Sequence, residues 1–150
     1  MSRLEFLSPI AGHAVSPLHH AAGPFTDVSH LGKLEVRGDV EGLDGAIRIG
    51  PQRALVVVEG DTRAERERLA GAGYRVYDLT AGLAALEVEG EDLMRRLTEL
   101  DLAALPAVGS ILRGTPALIE RRGRERFRLY VPQELGQFVA ETIADLAAAL

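Results

Sequence analysis

Hydrophobic and polar residues alternate along several short segments of the chain. In residues 31–37, Leu34 and Val36 alternate with Lys33, Glu35 and Arg37, which predicts a half-buried strand with its charged residues on the solvent side. The β-branched run over 53–59 predicts a central strand that is buried on both faces. Further strands are predicted at 46–49, 74–77, 83–88, 108–113, 117–122 and 126–131.

Three other segments have the residue spacing of helices. Thr62 and Glu65 predict a capping box at the start of a helix that ends near Ala70. A second helix is predicted over 90–100, and a third begins near Pro132. The apolar face of the third helix is predicted to contain Leu135, Phe138, Val139, Thr142, Ile143 and Leu146. Strands joined by both hairpins and helices predict an α+β fold with a mainly antiparallel sheet and packed helices.

A short pattern occurs twice along the chain. Residues 27–29 are Asp-Val-Ser, and they lead into a strand that closes on Leu-Glu-Val-Arg-Gly at 34–38. Residues 78–80 are Asp-Leu-Thr, and they lead into a strand that closes on Leu-Glu-Val-Glu-Gly at 86–90. An acid, an aliphatic residue and a hydroxyl residue thus recur at nearly the same offset, which favours an internal duplication over a chance match.

The predicted domain organisation follows from this repeat. Residues 27–150 are predicted to form one domain built from two related halves, at about 27–77 and 78–150. Residues 1–26 contain several prolines and glycines and three of the four histidines. We expect this part to be an irregular N-terminal arm.

Composition excludes several classes of function. A net charge of -5 argues against a nucleic-acid binder, which needs a basic surface to displace counterions. The chain has no cysteine, so disulfides, thiolate metal sites and cysteine nucleophiles are excluded. No stretch approaches the roughly 20 apolar residues of a membrane span, and no signal peptide is recognised. We therefore expect a cytoplasmic protein that binds neither nucleic acid nor membrane.

With these motifs in place, the chain resembles the glycine-cleavage aminomethyltransferase (T-protein) family. Residues 27–38 are similar to the N-terminal signature of that family, residues 78–102 to its next segment, and residues 127–132 to its late strand and turn. The resemblance implies an α+β folate-binding domain. Among the short members, the gamma subunit of sarcosine oxidase is the most similar, through residues 16–20, 34–39 and 49–57.

The resemblance also indicates which residues to consider for folate. The candidates are Asp27, Ser29, His30 and Asp44. The family's catalytic aspartate lies in a glycine-rich segment that ends in paired aspartates, whereas Asp44 is a single acid before a glycine, as in an ordinary turn. We therefore predict no catalytic residue.

One substitution argues against ordinary tetrahydrofolate binding. The family holds the pteridine with acids near an aromatic residue, and here Arg128 follows Phe127 in place of such an acid. A carboxylate can accept a pair of hydrogen bonds from a pterin, but a guanidinium only donates. No cofactor is assigned to this chain; tetrahydrofolate is the ligand that the resemblance offers, and flavin is expected on partner subunits.

The remaining histidines and arginines predict contacts rather than chemistry. His19 and His20 are adjacent and do not form a metal-binding spacing, so no metal site is predicted. Arg122 and Arg124 belong to an arginine-rich turn, which is either a solvated hairpin tip or a contact with an acidic partner. These four residues are the candidates for partner contact.

Three functions are compatible with the sequence. The first is a non-catalytic gamma-type subunit that packs against larger flavin- and folate-binding subunits of a sarcosine-oxidase-like complex, which would demethylate sarcosine oxidatively and transfer one carbon to tetrahydrofolate. The second is a stand-alone tetrahydrofolate-binding protein similar to the aminomethyltransferases. The third is a structural domain that associates with itself into a homo-oligomer.

Overall fold

The computed structural model describes residues 24–112 and 114–150. Within these residues, the fold contains two antiparallel sheets and three helices. The strands are β1 (Phe25–Asp27), β2 (Gly32–Arg37), β3 (Ala46–Gly50), β4 (Arg53–Val58), β5 (Arg75–Asp78), β6 (Leu83–Glu89), β7 (Ala107–Ile111), β8 (Thr115–Arg121) and β9 (Arg126–Pro132). The helices are α1 (Arg63–Gly71), α2 (Glu91–Leu97) and α3 (Gly136–Ala148), with short 3-10 turns at Leu102–Ala104 and Gln133–Leu135.

The strand order interleaves the two halves of the chain. The five-stranded sheet has the order β1-β6-β9-β8-β7, and the four-stranded sheet has the order β3-β4-β2-β5. β1 precedes β2 in sequence but pairs with β6, and β5 precedes β6 but pairs with β2. β5 spans the predicted boundary between the halves. If β1 and β5, which each precede one copy of the repeated turn, are counted as the first strands of the two halves, each sheet has one edge strand from the other half of the chain.

Three apolar clusters hold the layers together. The largest lies between the five-stranded sheet and helices α2 and α3, and a second packs Leu69 of α1 against the four-stranded sheet. The third joins the inner faces of the two sheets, with Ile47 and Leu55 on one side and Ala85, Leu118 and Tyr130 on the other. Alternation along each strand supplies one apolar set to each face, which is why both sheets can be covered on two sides.

The repeated glycine at the end of each Leu-Glu-Val pattern has a backbone reason. Gly38 has φ +139° and Gly90 has φ +112°. Residues with a side chain rarely adopt a positive φ, so glycine is favoured where the chain leaves β2 and β6.

Several sequence expectations need correction. Thr62 makes no capping hydrogen bond; its Oγ1 lies 3.4 Å from Asp78 Oδ2, and Glu65 pairs with Arg68 instead. Phe138 was placed on the buried face of the last helix, but it is 51% exposed because that helix buries Val139 and Ile143 one position further round.

Strand β2 is the other correction, since it is buried on both faces and not on one. Its charged residues are covered because the segment after β5 lies over Lys33, while Arg37 and Arg53 pair with Glu35. Of the predicted arm, residues 1–23 lie outside the described residues, and Phe25 begins β1.

Candidate functional site

Two of the folate candidates, Asp27 and Ser29, meet in a tight turn after β1. Asp27 Oδ1 accepts a hydrogen bond of 2.9 Å from the backbone N–H of Ser29. The second copy of the pattern forms the same turn, in which Asp78 Oδ1 accepts a 2.9 Å bond from the N–H of Thr80. This local bond gives the acid the same role in both copies of the pattern.

The hydroxyl of each turn crosses to the strand of the other half. The N–H of Ala85 donates to Ser29 Oγ at 3.0 Å, and the N–H of Lys33 donates to Thr80 Oγ1 at 3.0 Å. The backbone repeats this reciprocity, since Val28 donates to the Ala85 carbonyl at 2.9 Å and Leu79 donates to the Lys33 carbonyl at 2.8 Å. Lys33 and Ala85 each precede a Leu-Glu-Val pattern, so the two turns have equivalent surroundings.

Lys33 lies at the centre of this crossing and is the only lysine in the chain. Its side chain is fully buried, and Nζ donates to the carbonyls of Ser29 at 2.7 Å, Thr80 at 3.0 Å and Leu83 at 2.8 Å. Three acceptors match the three protons of an ammonium group. Burial lowers the pKa of Lys33 to about 8, while the charges of Asp27 and Asp78 oppose this fall. Lys33 therefore ties the turns together and has no N–H left for a ligand.

Arg128 is held in a polar network on the inner face of the five-stranded sheet. Its Nε and Nη2 donate to Glu87 Oε2 at 3.0 and 2.7 Å, and its Nη1 donates to Tyr130 Oη at 3.2 Å. Tyr130 Oη in turn donates to Glu120 Oε1 at 3.1 Å. Burial raises the pKa of Tyr130 to about 12, and the charge of Glu120 acts in the same direction. The Arg128 guanidinium is thus a structural cation that presents no acceptor.

Glu35 occupies in β2 the position that Glu87 occupies in β6, and arginines surround it as well. Arg53 donates to Glu35 through Nε at 3.2 Å and Nη2 at 3.1 Å, and Arg37 Nε donates to the same carboxylate. Burial would raise the pKa of Glu35, but the hydrogen bonds from Arg53 and Arg37 hold it below its usual value. The pKa of Glu35 is therefore held low by its arginine partners, and Glu87 is likewise paired with arginine.

A groove of about 290 Å³ opens beside Glu35 and Arg53, where the edges of the two sheets meet. Its walls are mainly apolar and include Leu83, Val108 and Pro132. Neither this groove nor the buried positions of Lys33 and Glu35 were predicted from the sequence. The repeated Leu-Glu-Val pattern could have indicated the position of Glu35. In both copies a glutamate lies between two core residues, and its side chain therefore projects from the opposite face of the strand, which faces the other sheet.

The other predicted site residues lie apart from this crossing. His30 is exposed in the turn after Ser29, and Asp44 is exposed in the turn before β3. Arg122 and Arg124 lie at the tip of the β8–β9 hairpin, where Arg122 Nη1 donates to Glu120 at 3.2 Å and Arg124 is exposed. The structure therefore brings Asp27 and Ser29 together, but no hydrogen bond among the described residues joins Asp44 to them.

His19 and His20 lie outside the described residues. Within residues 24–112 and 114–150, no group of three or more histidine, cysteine, aspartate or glutamate side chains could hold a metal ion. None of the helices in this part of the chain is long and apolar enough to cross a membrane.

Comparison with known proteins finds similarity among solved structures. No protein-family model and no curated protein sequence matches the chain. Among solved structures, the chain is similar to a chain of the heterotetrameric sarcosine oxidase from Corynebacterium sp. U-96 in complex with pyrrole 2-carboxylate. The TM-score is 0.73 at 18% sequence identity. The two share a fold.

The extent of this match adds a second point. It covers 90% of this chain and 95% of the sarcosine oxidase chain, so the two chains have nearly the same length. The α+β architecture with antiparallel sheets is therefore shared over nearly the whole of both aligned chains.

Proposed function

We propose that this protein is a small, gamma-type subunit of a heteromeric sarcosine-oxidase-like complex. The observation that carries the proposal is the fold match over almost the full length of both chains, one of which belongs to a heterotetramer. In such a complex, the larger subunits would hold flavin and folate. They would carry out the oxidative demethylation of sarcosine and the transfer of one carbon to tetrahydrofolate.

The pairing of the buried polar groups supports a role without chemistry for this chain. Lys33 donates to three carbonyls, and both Glu35 and Glu87 are occupied by arginines. A general acid or base has to exchange a proton with substrate, and a nucleophile has to reach it. Lys33 instead joins the two halves, and each glutamate pairs with arginine within its own sheet, so we propose that catalysis takes place on partner subunits.

The same residues bear on the folate alternative. We propose that the fold is that of the aminomethyltransferase folate-binding domain, with the pteridine-holding acid replaced by Arg128. Because the Arg128 guanidinium already donates to Glu87 and Tyr130, a pterin would meet a cation with no acceptor. Ordinary tetrahydrofolate binding by this chain is therefore the weaker proposal.

Gentle native purification from the source cell tests the proposal. A tagged copy of this chain should elute with larger subunits, and the same fraction should show the visible absorption of flavin. A colourless protein that elutes alone or only with copies of itself would contradict the proposal. In that case, titration of the isolated chain with reduced folate would decide between the folate-binding and the self-associating alternatives.

A further inference from the structure

Three arginines form one row across the inner face of the four-stranded sheet. Arg37 of β2 lies directly opposite Arg53 of β4 on one side and directly opposite Arg75 of β5 on the other. Residues directly opposite each other in antiparallel strands project from the same face of a sheet, and like charges at such positions destabilise it. The row is therefore a charge arrangement that the fold itself does not favour.

Little in the described chain neutralises this row. Glu35 accepts hydrogen bonds from Arg37 and Arg53, whose side chains are still 43% and 48% exposed. Arg75 is exposed, and within residues 24–112 and 114–150 no acidic side chain pairs with it. Three positive charges against one negative charge leave an excess of two at this point, although the whole chain has a net charge of -5.

The second half of the molecule shows that a neutral version of the row is compatible with the fold. The residue equivalent to Arg37 is Glu89, and it lies directly opposite Arg126. An acid and a base therefore face each other at the place where the first half has two arginines. The cationic row thus differs from its own internal counterpart and is not required by the repeated pattern.

An apolar groove continues from the end of this row. Arg53 and Glu35 line it together with Ile49, Leu83, Val108 and Pro132. Val108 belongs to the edge strand β7 and is 54% exposed, so the groove is open beside this strand. On the other side of the row, the ring of Tyr77 stacks on Arg37, with the guanidinium carbon 4.9 Å from the ring centre. The combined surface thus has the arginine row in the middle, the apolar groove at one end and the ring of Tyr77 at the other.

We infer that this surface, which we call the arginine-row surface (Arg75, Arg37, Arg53 and the adjoining groove), docks an acidic segment of a partner subunit. Carboxylates of that segment would pair with the exposed guanidinium groups, and an apolar side chain next to them would enter the groove beside Val108. Charge complementarity selects this occupant, because arginine recognises carboxylate through paired hydrogen bonds and an uncompensated cationic row attracts anionic groups. The inference rests on the proposed function, since it assigns the surface through which the subunit joins its complex.

Charge reversal at Arg75 is the sharpest test. Arg75→Glu should leave the isolated chain at least as stable as the wild type, because the new carboxylate faces Arg37 and forms an opposite-charge pair. Assembly with the flavin-bearing subunits, measured after co-expression of the complete complex, should weaken by about tenfold or more. The matched control is Arg63→Glu, which makes the same change in charge at an exposed, unpaired position on α1, on the opposite side of the same sheet.

A second pair of variants tests the groove. Val108→Asp should also weaken assembly, whereas Val108→Thr keeps the shape of the side chain and should assemble much more strongly than Val108→Asp. If the wild type assembles and Arg75→Glu and Val108→Asp assemble equally well, the docking surface is wrong while the proposed function stands. If the wild type recovers no flavin-bearing subunit, both the docking surface and the proposed function are overturned.

Discussion

At the scale of single residues, the choice of lysine at position 33 has a geometric reason. A compact ammonium group can donate in three directions, and the three carbonyls around Nζ lie within 3.0 Å of it. A guanidinium is a planar fork and cannot match that arrangement, although the chain otherwise uses arginine at every basic position. The single lysine is therefore explained by the shape of the site that it fills.

The lowered pKa of Lys33 predicts an unusual pH dependence of stability. The pKa is about 8 in the folded chain and 10.5 in its ordinary state, so between these values the unfolded chain binds the proton more strongly. The free energy of unfolding should then increase with pH in this window. After allowance for solvent screening, we expect a gain of about 1 kcal/mol between about pH 7.5 and about pH 9.5.

Denaturant unfolding at these two pH values measures this effect, with Lys33→Met as the reference that lacks the titrating group. The wild type should gain stability relative to the variant as the pH rises. Because no other lysine is present, the difference between the two proteins reports Lys33 directly. An equal change in both proteins would show that Lys33 titrates normally.

The hydrogen bonds of Arg128 lead to a second prediction for a single residue. Arg128→Met removes the donor to Glu87 and Tyr130 and leaves a partly buried carboxylate without its closest partner. We expect a loss of about 2 kcal/mol in the free energy of unfolding. In a double-mutant cycle with Glu87→Met, the second change should cost much less than it does alone. Additive effects would show that the pair is not coupled.

These residues mark what the sequence could and could not predict. The sequence shows an arginine at position 128 but not its partner, and the structure pairs Arg128 with Glu87. Lys33 and Glu35 were predicted to face solvent, because alternation with Leu34 and Val36 separates two faces of a strand but does not show what covers the second face. The covering groups come from Thr80, Leu83 and Arg53, which are distant in sequence.

At the scale of elements, the order of predicted strands and helices is confirmed and their ends are less accurate. The second helix ends at Leu97 and not at residue 100, and strand β7 begins at Ala107. Thr62 was predicted as a cap, but its methyl group packs beside Gly32: a Cβ on Gly32 would lie 2.3 Å from Thr62 Cγ2. A contact between two segments thus overrides a local capping signal.

Because the two turns make reciprocal hydrogen bonds, mutations in either turn should reduce the free energy of unfolding by similar amounts. Ser29→Ala removes the acceptor for the Ala85 N–H, and Thr80→Val removes the acceptor for the Lys33 N–H. Each change leaves a buried backbone donor without a partner, so we expect each to cost about 1–2 kcal/mol of stability. Both losses are measured by chemical denaturation.

Matched controls use residues whose side chains make no hydrogen bond within the described structure. Ser110→Ala and Thr26→Val should each change the free energy of unfolding by less than about 0.5 kcal/mol. If Ser29→Ala and Thr80→Val were as mild as these controls, the two turns would not hold the halves together. A large effect at only one of the two turns would contradict their equivalence.

At the scale of the whole molecule, the exchange of edge strands is the main organising feature. Counted from the strand that precedes each copy of the repeated turn, β1 of the first half joins the sheet of the second half, and β5 of the second half joins the sheet of the first half. The internal duplication inferred from the repeated pattern stays a prediction, and it would account for this reciprocity and for the matching hydrogen bonds of the two turns. The strand pattern alone could not show the exchange, because alternation defines the faces of a strand but not its neighbours.

The exchange also accounts for where the candidate surfaces lie. Apolar residues join the sheets around Tyr130 and Leu55, while the arginine-row surface lies on the inner face of the four-stranded sheet, beyond the apolar contact. The two sheets have different numbers of strands, and the apolar contact between them does not cover the whole inner face of the four-stranded sheet. The groove and the arginine row lie in the part that is left uncovered. Such a surface requires the packed structure, since its residues come from separate strands.

The central claim is that this chain is a subunit of a larger flavin-bearing assembly. Native mass spectrometry of the complex purified through this chain tests that claim most directly. We predict one assembly that contains this chain together with larger, different subunits, and flavin released from the same species. A mass that corresponds only to copies of this chain, without flavin, would contradict the claim.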